Sequence, residues 1–153
     1  MENRLLFRAD NCSGCRDCEL ACTFEHKGAY GRVGSLIRIV TDDKQLVNTA
    51  LFCHHCQKPV CVDLCPTNAI VRDATSGKVT INAADCIGCA ACVACPLGGI
   101  LMDTDSGLAQ MCDLCGGTPA CVEYCPREAL AYLKSGEARQ SRESLALDRG
   151  ERT

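Results

Sequence analysis

Cysteine is the residue with the most chemistry to offer in this chain, and all sixteen copies fall in four short runs. The run CDLCGGTPACVEYCP places Cys112, Cys115, Cys121 and Cys125 at C-x2-C-x5-C-x3-C, with Pro126 directly behind. Cys53, Cys56, Cys61 and Cys65 follow C-x2-C-x4-C-x3-C before Pro66. Cys12, Cys15, Cys18 and Cys22 follow C-x2-C-x2-C-x3-C, and Cys86, Cys89, Cys92 and Cys95 follow C-x2-C-x2-C-x2-C before Pro96. Three thiolates this close can hold three irons of one cubane, while a fourth beside a proline points to a different cluster. No cysteine is left over as a free thiol.

Two other chemistries use dense cysteine. Sixteen in 153 residues would also suit a secreted disulfide scaffold. The opening residues MENRLLFRADNC hold no apolar run of signal-peptide length and no twin arginine, so the expectation is a cytoplasmic chain whose clustered thiols serve metals. Zinc ribbons join two C-x2-C pairs and have no use for a third cysteine close behind or a proline after the fourth. A zinc module would be colourless, and it stays as the rival reading of the spacing.

Composition bounds the partners. Three Phe, three Tyr and no Trp make a thin core that needs metal staples. No stretch reaches the roughly 18 apolar residues of a membrane span, so direct membrane insertion is not expected. The formal charge of −3 would fall by about 8 more with four clusters at about −2 each. No basic patch interleaved with aromatics is present, which excludes a nucleic-acid partner.

The elements around the cysteines read as short strands. RLLFRA, residues 4–9, leads to the first group as VTINAAD, 79–85, leads to the third, which suggests an internal repeat. The first group exits through Thr23, Phe24, Glu25 and His26 into a loop with Gly28, Gly31 and Gly34, followed by a strand at 36–40. Asp42 and Asp43 turn the chain toward residues 45–52. A hairpin spans 69–72 and 78–82 around Ser76 and Gly77, and another joins GGILMD to LAQMC through Asp105, Ser106 and Gly107. Pro126 opens a short helix or turn in PREALAYL. Residues 134–153 are polar and charged, and are expected to be a disordered or partner-binding tail.

The four groups, with CDLC opening the last and CP closing groups two, three and four, resemble the electron-transfer subunits that accompany tungsten or molybdenum oxidoreductases, hydrogenases and carbon monoxide dehydrogenases. The resemblance covers residues 5–133. It implies an α+β fold of two interleaved ferredoxin-like modules within 1–133, each binding two [4Fe-4S] clusters, with short β-hairpins and little helix. It further implies that group one pairs with four and group two with three. Carried over, Cys12, Cys15 and Cys18 share a cluster with Cys125, while Cys112, Cys115 and Cys121 share one with Cys22. Likewise Cys53, Cys56 and Cys61 join Cys95, and Cys86, Cys89 and Cys92 join Cys65. The chain departs from the family in having only Val93 and Ala94 between its third-group Cys92 and Cys95, where three residues are usual.

Beside the cysteines, His26, His54 and His55 are not expected to ligate, and His54 and His55 are expected to lie in the loop over a cluster or touch a partner. Lys58, Arg16 and Arg127 lie close enough in sequence to offset cluster charge, although solvated surface is the plain alternative. Gly98, Gly99, Gly116 and Gly117 fit backbone that turns tightly or passes close to a cluster. No catalytic dyad, triad or phosphate loop is present, so no catalytic site of its own is expected. The resemblance points to a subunit passing single electrons between a large catalytic subunit and a second redox partner. The first is expected to carry a tungsten or molybdenum pterin, most like a tungsten-dependent aldehyde oxidoreductase, and the second to be a flavin/NAD subunit or ferredoxin. A hydrogenase, formate dehydrogenase or carbon monoxide dehydrogenase subunit is the alternative, as is a free-standing polyferredoxin. A structural reading has copies stacking into a higher-order assembly with the tail as clasp.

Overall fold

The computed structural model describes residues 4–133; the tail expected at 134–153 lies outside the described residues. Eight strands form four separate antiparallel pairs, and each pair is a minimal ribbon. β1 (Arg4–Phe7) pairs with β8 (Leu130–Leu133), so that Phe7 lies opposite Leu130. β2 (Arg38–Asp42) pairs with β3 (Val47–Leu51), β4 (Ile70–Arg72) with β5 (Val79–Ile81), and β6 (Ile100–Met102) with β7 (Ala109–Met111). Isolated two-stranded ribbons are marginal in water. They persist here by packing on one another and on short helical turns, as β5 does on β7.

The two hairpins that lead out of groups two and three share one turn. Asp73 accepts from the N–H of Thr75 and Ser76 at 2.8 and 2.6 Å, and Gly77 follows at φ 71°. Asp103 accepts from Ser106 N–H at 3.1 Å and from its hydroxyl at 2.8 Å, and Gly107 follows at φ 70°. Short acidic side chains that bond the backbone two or three residues on, then glycine where φ is positive, specify such turns locally.

Three helices interrupt the ribbons. α1 (Asp17–Lys27) has Asp17 and Glu19 in its first turn and His26 and Lys27 in its last, both favourable to the helix dipole. Gly28, at φ 66°, ends it and donates its N–H to Phe24 O at 2.8 Å. This corrects the reading of residues 23–27 as a plain exit from group one. α2 (Val60–Asp63) and α3 (Ala120–Glu123) are single turns, and α3 packs against α1. The strand expected at 36–40 begins two residues later, because Ser35 is buried with its hydroxyl donating to Ile37 O at 2.6 Å. Pro126 lies in a turn, not a helix, and β8 begins four residues on.

Two small apolar cores result. Leu5, Ile37, Ile39, Phe52 and Leu130 gather around thiols of groups one and four. Ile70, Val79, Ile100 and Met111 gather around those of groups two and three. Cys53 packs against both.

Candidate iron-sulfur centres

None of the sixteen thiols is in a disulfide. Cys12, Cys15 and Cys18 line one cleft, and its remaining thiol is Cys125, from the far end of the described chain. A second cleft is lined by Cys86, Cys89 and Cys92 with Cys65. The local reason is helical. Cys18 and Cys22 sit one α-turn apart on α1, so they reach toward different neighbours, and Cys61 and Cys121 ride on the single turns α2 and α3. The antiparallel β1–β8 pair then brings the loop after Cys125 back to the first group, with Arg8 N–H donating to Ala129 O at 2.7 Å.

The electrostatics report the same neighbourhoods. Burial pushes the Cys18 thiol up to about 12, helped by Glu19 and by Cys125 and Cys15. Burial likewise takes Cys112 to about 12, with Cys22, Cys115 and Asp113 adding to it. Cys53 rises to about 11 through burial and then Cys61, Cys56 and Cys95, and Cys92 rises through burial and then Cys86, Cys89 and Cys65. Thiols this buried and this close cannot all ionise alone. Bound iron would supply the missing positive charge as these thiols gave up their protons.

Cys22 goes the other way. Burial pushes it up, but hydrogen bonding to His26 and the Leu36 N–H at 3.3 Å outweigh burial and bring it below the usual thiol range. His55 N–H similarly reaches Cys53 Sγ at 3.5 Å. Backbone N–H groups aimed at sulfur are the donors a cluster's ligands need. The residues present therefore fit a [4Fe-4S] group.

The short third-group spacing has a local answer. Cys61 lies in α-helical turn α2 with Cys65 just past its end, and Cys121 lies in α3 with Cys125 just past its end, so that three residues intervene across about one turn. Cys92 to Cys95 lies on a 3-10 turn, Ala91–Ala94, closed by Cys95 N–H to Cys92 O at 3.2 Å. That helix has three residues per turn, so two intervening residues span it.

The histidines do other work. Imidazole His26 contacts Cys22 O at 2.9 Å and Asp113 Oδ1 at 3.1 Å, and Asp113 first and Cys22 second raise it to about 11. His26, Asp113 and Cys115 could face one ion, yet three donors fall short of a closed four-ligand zinc site. His54 stacks on Phe52 with centroids 4.4 Å apart. His55 is buried and accepts from Val79 N–H at 3.1 Å. Lys58 is exposed, while Arg16 and Arg127 line the Cys12 cleft. Gly98 and Gly116 have positive φ, and a Cβ on Gly99 would meet Cys53 Cα at 2.7 Å.

Two residues had no signal in the cysteine pattern. Glu19 is buried, its Oε2 accepting from Arg32 Nε at 2.8 Å and its Oε1 from Ile39 N–H at 2.7 Å. Met111 Sδ lies 3.7 Å from Cys53 Sγ.

Residues 44–135 match the family model of a 4Fe-4S dicluster domain, and residues 11–70 match a second model of the same description. The chain is 38% identical over 152 residues to the polyferredoxin-like subunit of aliphatic sulfonate oxidoreductase from Pyrococcus furiosus, covering 97% of this chain and 87% of that protein. It is 32% identical over 148 residues to the thiosulfate reductase electron transfer subunit PhsB of Salmonella typhi, covering 88% and 77%. Other relatives are longer: the chain spans 30% of the NADH-dependent phenylglyoxylate dehydrogenase subunit beta of Aromatoleum evansii, at 36% identity over 132 residues and 84% of this chain. Among solved structures, a chain of the active site complex BamBC of benzoyl coenzyme A reductase with benzoyl-CoA aligns at TM-score 0.52 and 25% identity, over 94% of this chain and 88% of that one. The chain belongs to the family of 4Fe-4S dicluster, ferredoxin-like electron-transfer subunits. Among the described residues, no helix is long and apolar enough to cross a membrane.

Proposed function

We propose that this chain carries single electrons through four [4Fe-4S] clusters between a catalytic oxidoreductase subunit and a second redox partner. The observation that carries it is the cleft in which Cys125 joins Cys12, Cys15 and Cys18. By the same logic Cys22 goes with Cys112, Cys115 and Cys121, Cys95 with Cys53, Cys56 and Cys61, and Cys65 with Cys86, Cys89 and Cys92. On this reading residues 1–133 form two interleaved modules, groups one with four and two with three, and the strand pair β1–β8 closes the first. A [4Fe-4S] cluster, when bound, takes up and returns one electron.

The protein's part is to space, insulate and tune. Cys121 feels the charge of Cys18, Cys53 meets Met111 next to Cys112, and Cys61 and Cys65 share α2 and its end, so the four thiol sets follow one another as neighbours. Cys15 and Cys89, in the two outer sets, are the two exposed thiols. That suits exchange with a different partner at each end.

For the catalytic partner we favour a cytoplasmic tungsten-dependent aldehyde oxidoreductase, on the cysteine pattern. Relatives named as subunits of aliphatic sulfonate oxidoreductase and thiosulfate reductase support a large redox partner of some kind. The test is anaerobic purification with whatever accompanies the chain, followed by iron, sulfide, tungsten and molybdenum analysis and a spectrum before and after dithionite. About sixteen irons per chain with visible absorption that bleaches supports the reading. Zinc with a featureless spectrum overturns it, and a co-purifying hydrogenase or carbon monoxide dehydrogenase overturns the choice of partner.

A further inference from the structure

The two outer thiol sets sit in unlike electrostatic surroundings. The cleft holding Cys12, Cys15, Cys18 and Cys125 is also lined by Arg16 and Arg127. The cleft holding Cys65, Cys86, Cys89 and Cys92 has no charged side chain in its lining, and Ile87 and Ala90 stand there instead. Both arginines are placed by local structure. Arg16 follows Cys15 in the left-handed region at φ 67°, its carbonyl accepting from Glu19 N–H at 2.9 Å as α1 begins. Arg127 lies in the turn that brings the chain from Cys125 toward β8.

One carboxylate reaches Arg16, and no acidic side chain lines the cleft. Glu19 Oε1 lies 3.6 Å from Arg16, but its other oxygen is engaged by Arg32 at 2.8 Å, and Arg127 is a further positive charge. Neither Glu19 nor Asp17 lines the cleft.

We infer that Arg16 and Arg127 make the Cys12, Cys15, Cys18 and Cys125 set the electron-collecting end of the protein, with the uncharged Cys65, Cys86, Cys89 and Cys92 set at the other end holding an added electron least well. This deepens the proposed function and rests on it. Reduction adds one electron to the iron of a set and no proton. The electron comes from the one-electron donor that docks, and it leaves to the one-electron acceptor. The added negative charge is favoured by a fixed cation within a few ångströms and disfavoured where only apolar side chains surround it. The difference between the ends gives the row of sites a direction.

The experiment is a mediated dithionite titration of the full holoprotein, followed by electron paramagnetic resonance. Arg16→Gln and Arg127→Gln should each lower the reduced-to-oxidised ratio of the highest-potential cluster about tenfold at fixed poise, a fall of about 59 mV for a one-electron couple. Arg16→Lys and Arg127→Lys should restore most of it. Ile87→Arg should raise the lowest-potential cluster instead, without touching the highest. Iron and sulfide per chain are measured throughout. Four clusters with unmoved potentials, or Lys variants as low as the Gln variants, overturn this inference alone. Fewer than four clusters in the unaltered chain overturns the reading beneath it.

Discussion

The sulfur of Cys53 lies 3.7 Å from the thioether sulfur of Met111, and Met111 is the residue before Cys112. One buried contact therefore joins the two apolar cores and the second and fourth cysteine groups. Met111→Leu keeps the volume and should cost under about 1.5 kcal/mol. Met111→Ala opens a cavity and should cost about 2–5 kcal/mol, read as a lower denaturant midpoint for loss of visible absorption. Equal effects from the two variants would argue that the contact does not hold the halves together.

Glu19 ties α1 to β2 and to the loop between them through Arg32 and Ile39 N–H. Glu19→Ala strands the buried Ile39 N–H while Arg32, 58% exposed, turns to solvent, and should destabilise the holoprotein by about 1–3 kcal/mol. Glu19→Gln keeps one acceptor and should cost less. Cluster-release rates in urea would separate the two.

Lys27 bonds Asp103 at 2.6 Å and Asp105 at 2.9 Å, tying the end of α1 to the turn between β6 and β7. Lys27 first, and Ser106 next, hold the Asp103 carboxyl down at about 2, below its ordinary 3.8. A depressed carboxylate adds stability above its ordinary value and loses it as pH falls through its folded value. Lys27 is raised above 10.5, so its share is lost only at higher pH than that. Asp103→Asn should release clusters faster by a constant factor from about pH 5 to 9. The gap should narrow only below about pH 4, and a gap that changes steadily across neutral pH would refute the tie.

A methyl on Gly99 would meet Cys53 Cα and Phe52 O at 2.7 Å, both of them backbone. Gly99→Ala must therefore push the second cysteine group aside, at about 1–3 kcal/mol. Iron per chain should drop, or one cluster's spectrum shift, while Gly116→Ala, with nothing within 4 Å of the added carbon, should keep full iron despite its positive φ.

Where local chemistry chose the structure, the sequence was readable. Ser76 and Gly77, and Asp105, Ser106 and Gly107, mark two hairpins on turn chemistry alone, although the acids that bond the turns are Asp73 and Asp103. α1 escaped because its buried face is Cys18, Glu19, Cys22 and Thr23, which shows no apolar stripe to a periodicity search. The pairing of β1 with β8 left no local trace, and the expectation that group one meets group four came from resemblance. Glu19 carried no signal in the sequence, since only the folded chain brings Arg32 and Ile39 to it. The position of Met111 beside Cys53 is likewise a long-range product of packing.

The pairing of Phe7 with Leu130 also sets an order of manufacture. On a ribosome, β4 through β7 are complete while β8 is still unmade, so the thiols between Cys53 and Cys95 can be gathered early. On the proposed pairing those of the first group would wait for the last residues of β8, and closing so long a loop costs entropy that local hairpins avoid. A chain interrupted before Leu130 should therefore hold iron at its middle and none on Cys12, Cys15 and Cys18, leaving those thiols open to oxygen until β8 is made.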